Sequence, residues 1–138
     1  MAALAIHAAG VVQACELVAG DAMVVVPFPA ARSAAAYLKI TNACDADDRL
    51  LGASADIARH TMLHSQQTGT DGVVTMRPIE DGLDLPSTTR TVLEPGGNHV
   101  MLFGLTGPLN SGDLVRLELH FENSGPLVLM ASVRLAAP

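Results

Sequence analysis

After Ala19 the chain is built from short stretches rich in Val, Leu, Ile and Thr, punctuated at regular intervals by Gly, Pro, Asn and Asp, with no helix of useful length among them. Such a chain buries its apolar side chains as short strands whose alternate residues face a shared core, which defines an all-β sandwich. Strands are expected at Ala22 to Pro27, Ala34 to Asn42, Arg49 to Ser54, Arg59 to Ser65, Val73 to Ile79, Thr89 to Leu93, His99 to Leu105, Leu114 to Phe121 and Leu127 to Leu135. Turns are explicit at Asp71-Gly72, Glu94-Pro95-Gly96-Gly97, Ser111-Gly112-Asp113 and Ser124-Gly125-Pro126. In the clearest strand, Val115, Leu117, Leu119 and Phe121 share one face and Arg116, Glu118, His120 and Glu122 the other, so His120 reads as a solvated strand histidine.

A length of 138 residues with 49% hydrophobic residues suits one domain with a real core, and no repeat or second composition zone suggests another. Aromatic residues are scarce, with no Trp, one Tyr and three Phe, so the core falls to Val, Leu, Ile, Ala and Met. Methionine is therefore a filler first, and any ligand role must be argued against that use. The charge balance is acidic, 14 Asp plus Glu against 8 Lys plus Arg, with no basic run to attract a phosphate backbone, which excludes nucleic-acid binding.

Residues 1–19 are apolar and rich in small residues, but the first basic residue of the chain is Arg32. They read as the remnant of an export leader, or as an N-terminal strand or tail, with residues 20–138 forming the domain. The segment is too short and too interrupted by His7 and Gln13 to be read as a stable membrane span. Cys15 and Cys44 match no zinc or thiol-redox spacing; a disulfide between them and two unpaired thiols are both open.

Alternation puts His99, Met101 and Phe103 on one strand face, so that an imidazole and a thioether project together directly after the Glu94 to Asn98 turn, near the rim of the sandwich. His60, Met62 and His64 share a face of an earlier strand, and Met76 follows the Asp71-Gly72 turn. If those two strands form a hairpin, His64 and Met76 can meet a metal from the side opposite His99 and Met101. Thioethers are soft ligands that suit Cu(I), whereas calcium or magnesium needs clustered carboxylates and carbonyls. A site of two imidazoles and two thioethers also avoids the thiols that an oxidising compartment converts to disulfides. Spacing alone leaves open the plainer arrangement, a rim histidine beside a core methionine.

The residues Ala34-Ala35-Ala36-Tyr37-Leu38-Lys39-Ile40-Thr41-Asn42, Asp48-Arg49-Leu50, Met76-Arg77-Pro78 and Glu94-Pro95-Gly96-Gly97-Asn98-His99-Val100-Met101-Leu102 closely resemble the periplasmic copper chaperones called PCuAC, from about Leu17 to Val133. The signature of that family is a His, then a Met, then a His-X-Met. His64 stands twelve positions before Met76, as the signature requires, whereas His60 stands sixteen before it and fits poorly. Twenty-two residues separate Met76 from His99 where the family has twenty-one, which places an insertion near Glu80-Asp81-Gly82. Ser65 occupies a position where the family optionally has Met.

The resemblance implies a cupredoxin-like Greek-key β-sandwich and export to the periplasm. It also implies one Cu(I) per chain, held by His64, Met76, His99 and Met101. Delivery would be to a recipient protein, the copper centre of cytochrome c oxidase, sometimes alongside a second copper carrier. A monomer is expected. His60 and Met62 read as rim packing and exposure, with a secondary weak copper site as the alternative.

Two other classes compete. An electron-transfer cupredoxin needs a Cys thiolate with two His and a weak axial Met, and neither Cys15 nor Cys44 lies near the His-X-Met in sequence. A metal-free interaction module would use His64 and His99 at the rim and all the methionines in the core. No nucleophile with a base and orienting acid, and no phosphate-cradling Gly loop, marks an enzyme.

Overall fold

The computed structural model describes residues 15–136. These form ten strands: β1 (Val18–Val26), β2 (Ser33–Asn42), β3 (Asp48–Ala55), β4 (Ala58–Thr68), β5 (Val74–Pro78), β6 (Leu83–Leu85), β7 (Thr89–Leu93), β8 (His99–Leu105), β9 (Leu114–Phe121) and β10 (Leu127–Leu135). The hydrogen-bonded order is β5-β4-β8-β2-β1-β10-β9-β3-β6, with β7 pairing the second half of β2. All pairings are antiparallel except β1 with β10.

The ladder rolls on itself. Val24, Ala36, Leu38, Ile40, Val100 and Leu102 from one half share a single core with Leu50, Leu117, Leu119 and Val133 from the other. The result is the expected all-β, cupredoxin-like β-sandwich. On β2 the alternation is complete: Ala34, Ala36, Leu38, Ile40 and Asn42 are buried while the residues between them are half-buried. Asn42 enters the core because its amide is satisfied, Nδ2 donating to the carbonyls of Ala46 and Leu85 at 3.0 and 2.8 Å and Oδ1 accepting from the Cys44 N–H.

The expected strands are all present, and the structure adds β6, whose three residues are too short to show a period. It also moves the domain boundary. Val18 to Gly20 pair with Thr41 to Lys39, Leu17 is buried, and Cys15 is bonded to Cys44, so the sandwich begins before residue 20. Sequence reading missed this stretch because β1 carries a bulge between Gly20 and Met23, with Asp21 at φ 51°, which breaks the apolar alternation. The reading of residues 1–14 as leader or tail lies outside the described residues. Among the described residues, no helix is long and apolar enough to cross a membrane.

Candidate metal site

β4 lies between β5 and β8, and the registers of the two pairings bring the sequence-predicted residues onto one sheet face. His64 stands directly opposite His99, Met62 opposite Met101, and His60 opposite Phe103. On the other side of β4, Met76 stands opposite Gln66 and Pro78 opposite His64. Gln66 is two residues from His64 and so shares its face, which puts Met76 on that face as well. The expected hairpin is real, and His64 is flanked by Met76 from β5 and by His99 and Met101 from β8. The opposite face of β4 and β8 carries Leu63, Val100 and Leu102 into the core, which fixes the strands beneath the site.

The Glu94 to Asn98 turn sets the position of His99. Glu94 N–H donates to the Asn98 carbonyl and Gly97 N–H to the Glu94 carbonyl, at 3.1 and 2.9 Å. Gly96 supplies the left-handed residue of this turn, at φ 85°. The Gly97 carbonyl, free of the turn, accepts from the Gln66 N–H at 3.3 Å and lies 3.1 Å from Nδ1 of His99. Because a carbonyl only accepts, Nδ1 of His99 is the donor in this contact, and in a neutral ring Nε2 is then the nitrogen with the lone pair. A metal-binding histidine is commonly oriented in this way.

His99 is at the strand end as expected, yet only 1% exposed. Its Nε2 is buried without a protein partner, and so is Nδ1 of His64. The two rings meet edge to face, their centroids 5.8 Å apart. Tyr37 covers His99 from β2 at 6.0 Å, and Phe103 lies 5.9 Å from the ring of His64. Burial, and secondarily the facing His99, lower the pKa of His64 from its usual 6.5, which favours the neutral imidazole. Buried polar atoms normally find partners, so an orphaned nitrogen on each of two neighbouring rings calls for an explanation.

The donor chemistry fits a soft cation. Among the described residues no group of three or more His, Cys, Asp and Glu side chains could hold a metal. Beside the two imidazoles this face carries the thioethers of Met101, half-buried, and Met76, 51% exposed. Cys15 and Cys44 are bonded to each other with Cα atoms 5.6 Å apart, which resolves the open question of their state. His120 lies apart on β9, half-exposed, with Nε2 3.3 Å from Ser54 Oγ.

Fold and site together define a small β-sandwich that presents two neighbouring histidines, with methionines on the same face, at the end of a strand pair. The chain belongs to the LpqE-like lipoprotein family, whose model matches residues 17–133. A lipoprotein of Leifsonia xyli subsp. xyli, Lxx21020, is 32% identical over 89 residues, covering 64% of this chain and 53% of that protein, so the chain spans about half of that relative's length. Among solved structures, apo-DR1885 from Deinococcus radiodurans is 31% identical with a TM-score of 0.66, covering 99% of this chain and 89% of that one. The Cu(I) form of DR1885 is 33% identical with a TM-score of 0.62, covering 85% and 76%. The copper-bound PCuAC domain from PmoF2 shares the fold at a TM-score of 0.71 and 23% identity, covering 87% and 93%. The likeness to PCuAC proteins read from the sequence therefore extends over the whole fold.

Proposed function

We propose that this protein is an exported copper chaperone. In this reading it binds one Cu(I) through His64, Met76, His99 and Met101 and hands it to a recipient protein. The observation that carries the reading is the pair of buried, unpartnered imidazole nitrogens on His64 and His99, with thioethers on the same face. Copper here is cargo. Neutral imidazole and thioether donors match its softness and hold it without thiolates, which suits release to a partner. The copper-bound relatives support the same class.

The thiolate that an electron-transfer cupredoxin requires is tied up in the Cys15–Cys44 disulfide. A metal-free module gives no reason for two orphaned nitrogens at one place. The lipoprotein relatives and the disulfide favour an oxidising compartment outside the cytoplasm, the periplasm in the family reading. Family resemblance points to the copper centre of cytochrome c oxidase as the recipient, and the carrier is read as a monomer.

The test is an anaerobic Cu(I) titration against a competing chromogenic chelator, on the intact protein and on His99→Ala and Met101→Ala. The expected result is one tight equivalent that both substitutions weaken. An intact protein that takes no Cu(I) from the chelator removes the chaperone reading and favours the interaction module.

A further inference from the structure

Four side chains form a two-by-two square on the outer face of β4 and β8: His64 opposite His99, and Met62 opposite Met101. Directly opposed residues have Cβ atoms about 5 Å apart, so the Met62 and Met101 thioethers start from the same separation as the two imidazoles. Met76 starts further away. It pairs with Gln66, two residues beyond His64 on β4, and is exposed.

The rings gathered around the Met62–Met101 rung separate the two methionines. Its centroid is 5.8 Å from His99, its own cross-strand partner, and 5.9 Å from Phe103, which lies opposite His60. Only the Met62–Met101 pair stands between those two rungs. The rings of His64 and Phe103, which start two rungs apart, therefore approach each other over the rung that holds Met62 and Met101. Met62 is also half-buried, as an inner donor would be, whereas His60 is exposed and stacked on Phe103 at 6.0 Å.

We propose that Met62 is a thioether ligand of the same copper ion, completing a His64, His99, Met62 and Met101 square, while Met76 is the exposed, exchangeable donor at its edge. The proposal rests on the copper reading above and deepens it. The carrier then has one more soft donor than it needs at any moment. Copper can change partner at Met76 without losing its inner thioethers.

The test uses the full chain with methyl-13C methionine, assigned through single Met→Leu variants and titrated with Cu(I) under anaerobic conditions. Leucine keeps the volume, and thermal unfolding of the apo variants checks that the fold is intact. The expected result is that the Met62 and Met101 methyls both move with the first equivalent. Met62→Leu should weaken Cu(I) by about tenfold or more, at least the loss seen when an outer partner of a metal ligand is removed. Copper in Met76→Leu should keep sulfur scattering from both inner thioethers by X-ray absorption, and lose one in Met62→Leu/Met76→Leu. A Met62→Leu protein with unchanged affinity and unchanged sulfur scattering, in either background, overturns the proposal while His99→Ala still weakens binding. If Cu(I) moves no methionine methyl at all, the copper reading itself falls.

Discussion

His64 and His99 face each other across the β4–β8 ladder, ring planes at 82°, each with one buried nitrogen that no protein group satisfies. Leaving a buried polar atom unpaired costs about 1–3 kcal/mol, so the apo protein bears a cost that a bound ion would remove. In the copper reading, function and stability are opposed at this pair.

His99→Leu tests that opposition. The substitution removes the orphaned Nε2, and the Gly97 carbonyl still accepts from Gln66. The expected outcome is an apo protein no less stable than the parent, within about 1 kcal/mol or better, that has lost tight Cu(I) binding. Denaturant unfolding and chelator competition on the same samples check it.

Asp48 makes stability depend on acid. Its buried carboxylate accepts from the Arg49, Asn123 and Ser124 N–H groups at 2.7, 3.0 and 3.1 Å and from the Ser124 hydroxyl. Burial pushes its pKa up, but those four bonds outweigh it and hold the value below the usual 3.8. A depressed carboxyl stabilises the fold fully above its unfolded pKa and loses that contribution as pH falls through the lower folded value. Asp48→Asn should therefore cost about 1–3 kcal/mol at neutral pH, a difference that persists down to about pH 4 and narrows only below 3.8. Urea unfolding of both proteins across pH 2 to 7 measures it.

The disulfide closes a separation of 29 residues. Chain-entropy arguments give about 3–4 kcal/mol for a loop of that size, so Cys44→Ser should lower unfolding stability by roughly that amount. Copper affinity should stay within about threefold, since neither sulfur contributes to the site. Thermal unfolding with and without reductant, alongside the chelator assay, reads both effects.

Gly82, in the turn between β5 and β6, is locked to glycine. It sits at φ 84°, and a Cβ there would meet the Leu50 carbonyl oxygen at 2.7 Å and Arg49 Cγ at 2.9 Å. Gly82→Ala should destabilise the fold by about 1–3 kcal/mol, by strain and by displacing backbone. Equilibrium unfolding checks this, with Gly125→Ala, which meets no atom within 4 Å, as the tolerant control.

By itself the sequence determined where nine of the ten strands run, β1 only from Ala22 onward, because period-two burial and explicit turn residues are local properties. The alternation from Leu114 to Phe121 and the Glu94 to Asn98 turn reappear almost residue for residue. It also determined that His99 and Met101 project together, and that His60, Met62 and His64 share a face. Only tertiary structure decided which residues meet across strands, since register depends on pairing between segments far apart in the chain. That pairing set His64 against His99 and Met62 against Met101 and left Met76 one step out. It also drew Cys15 to Cys44 and buried a histidine that its rim position alone would have exposed. Burial and orphaned nitrogens arise from what other strands place above a side chain, and no local pattern encodes that.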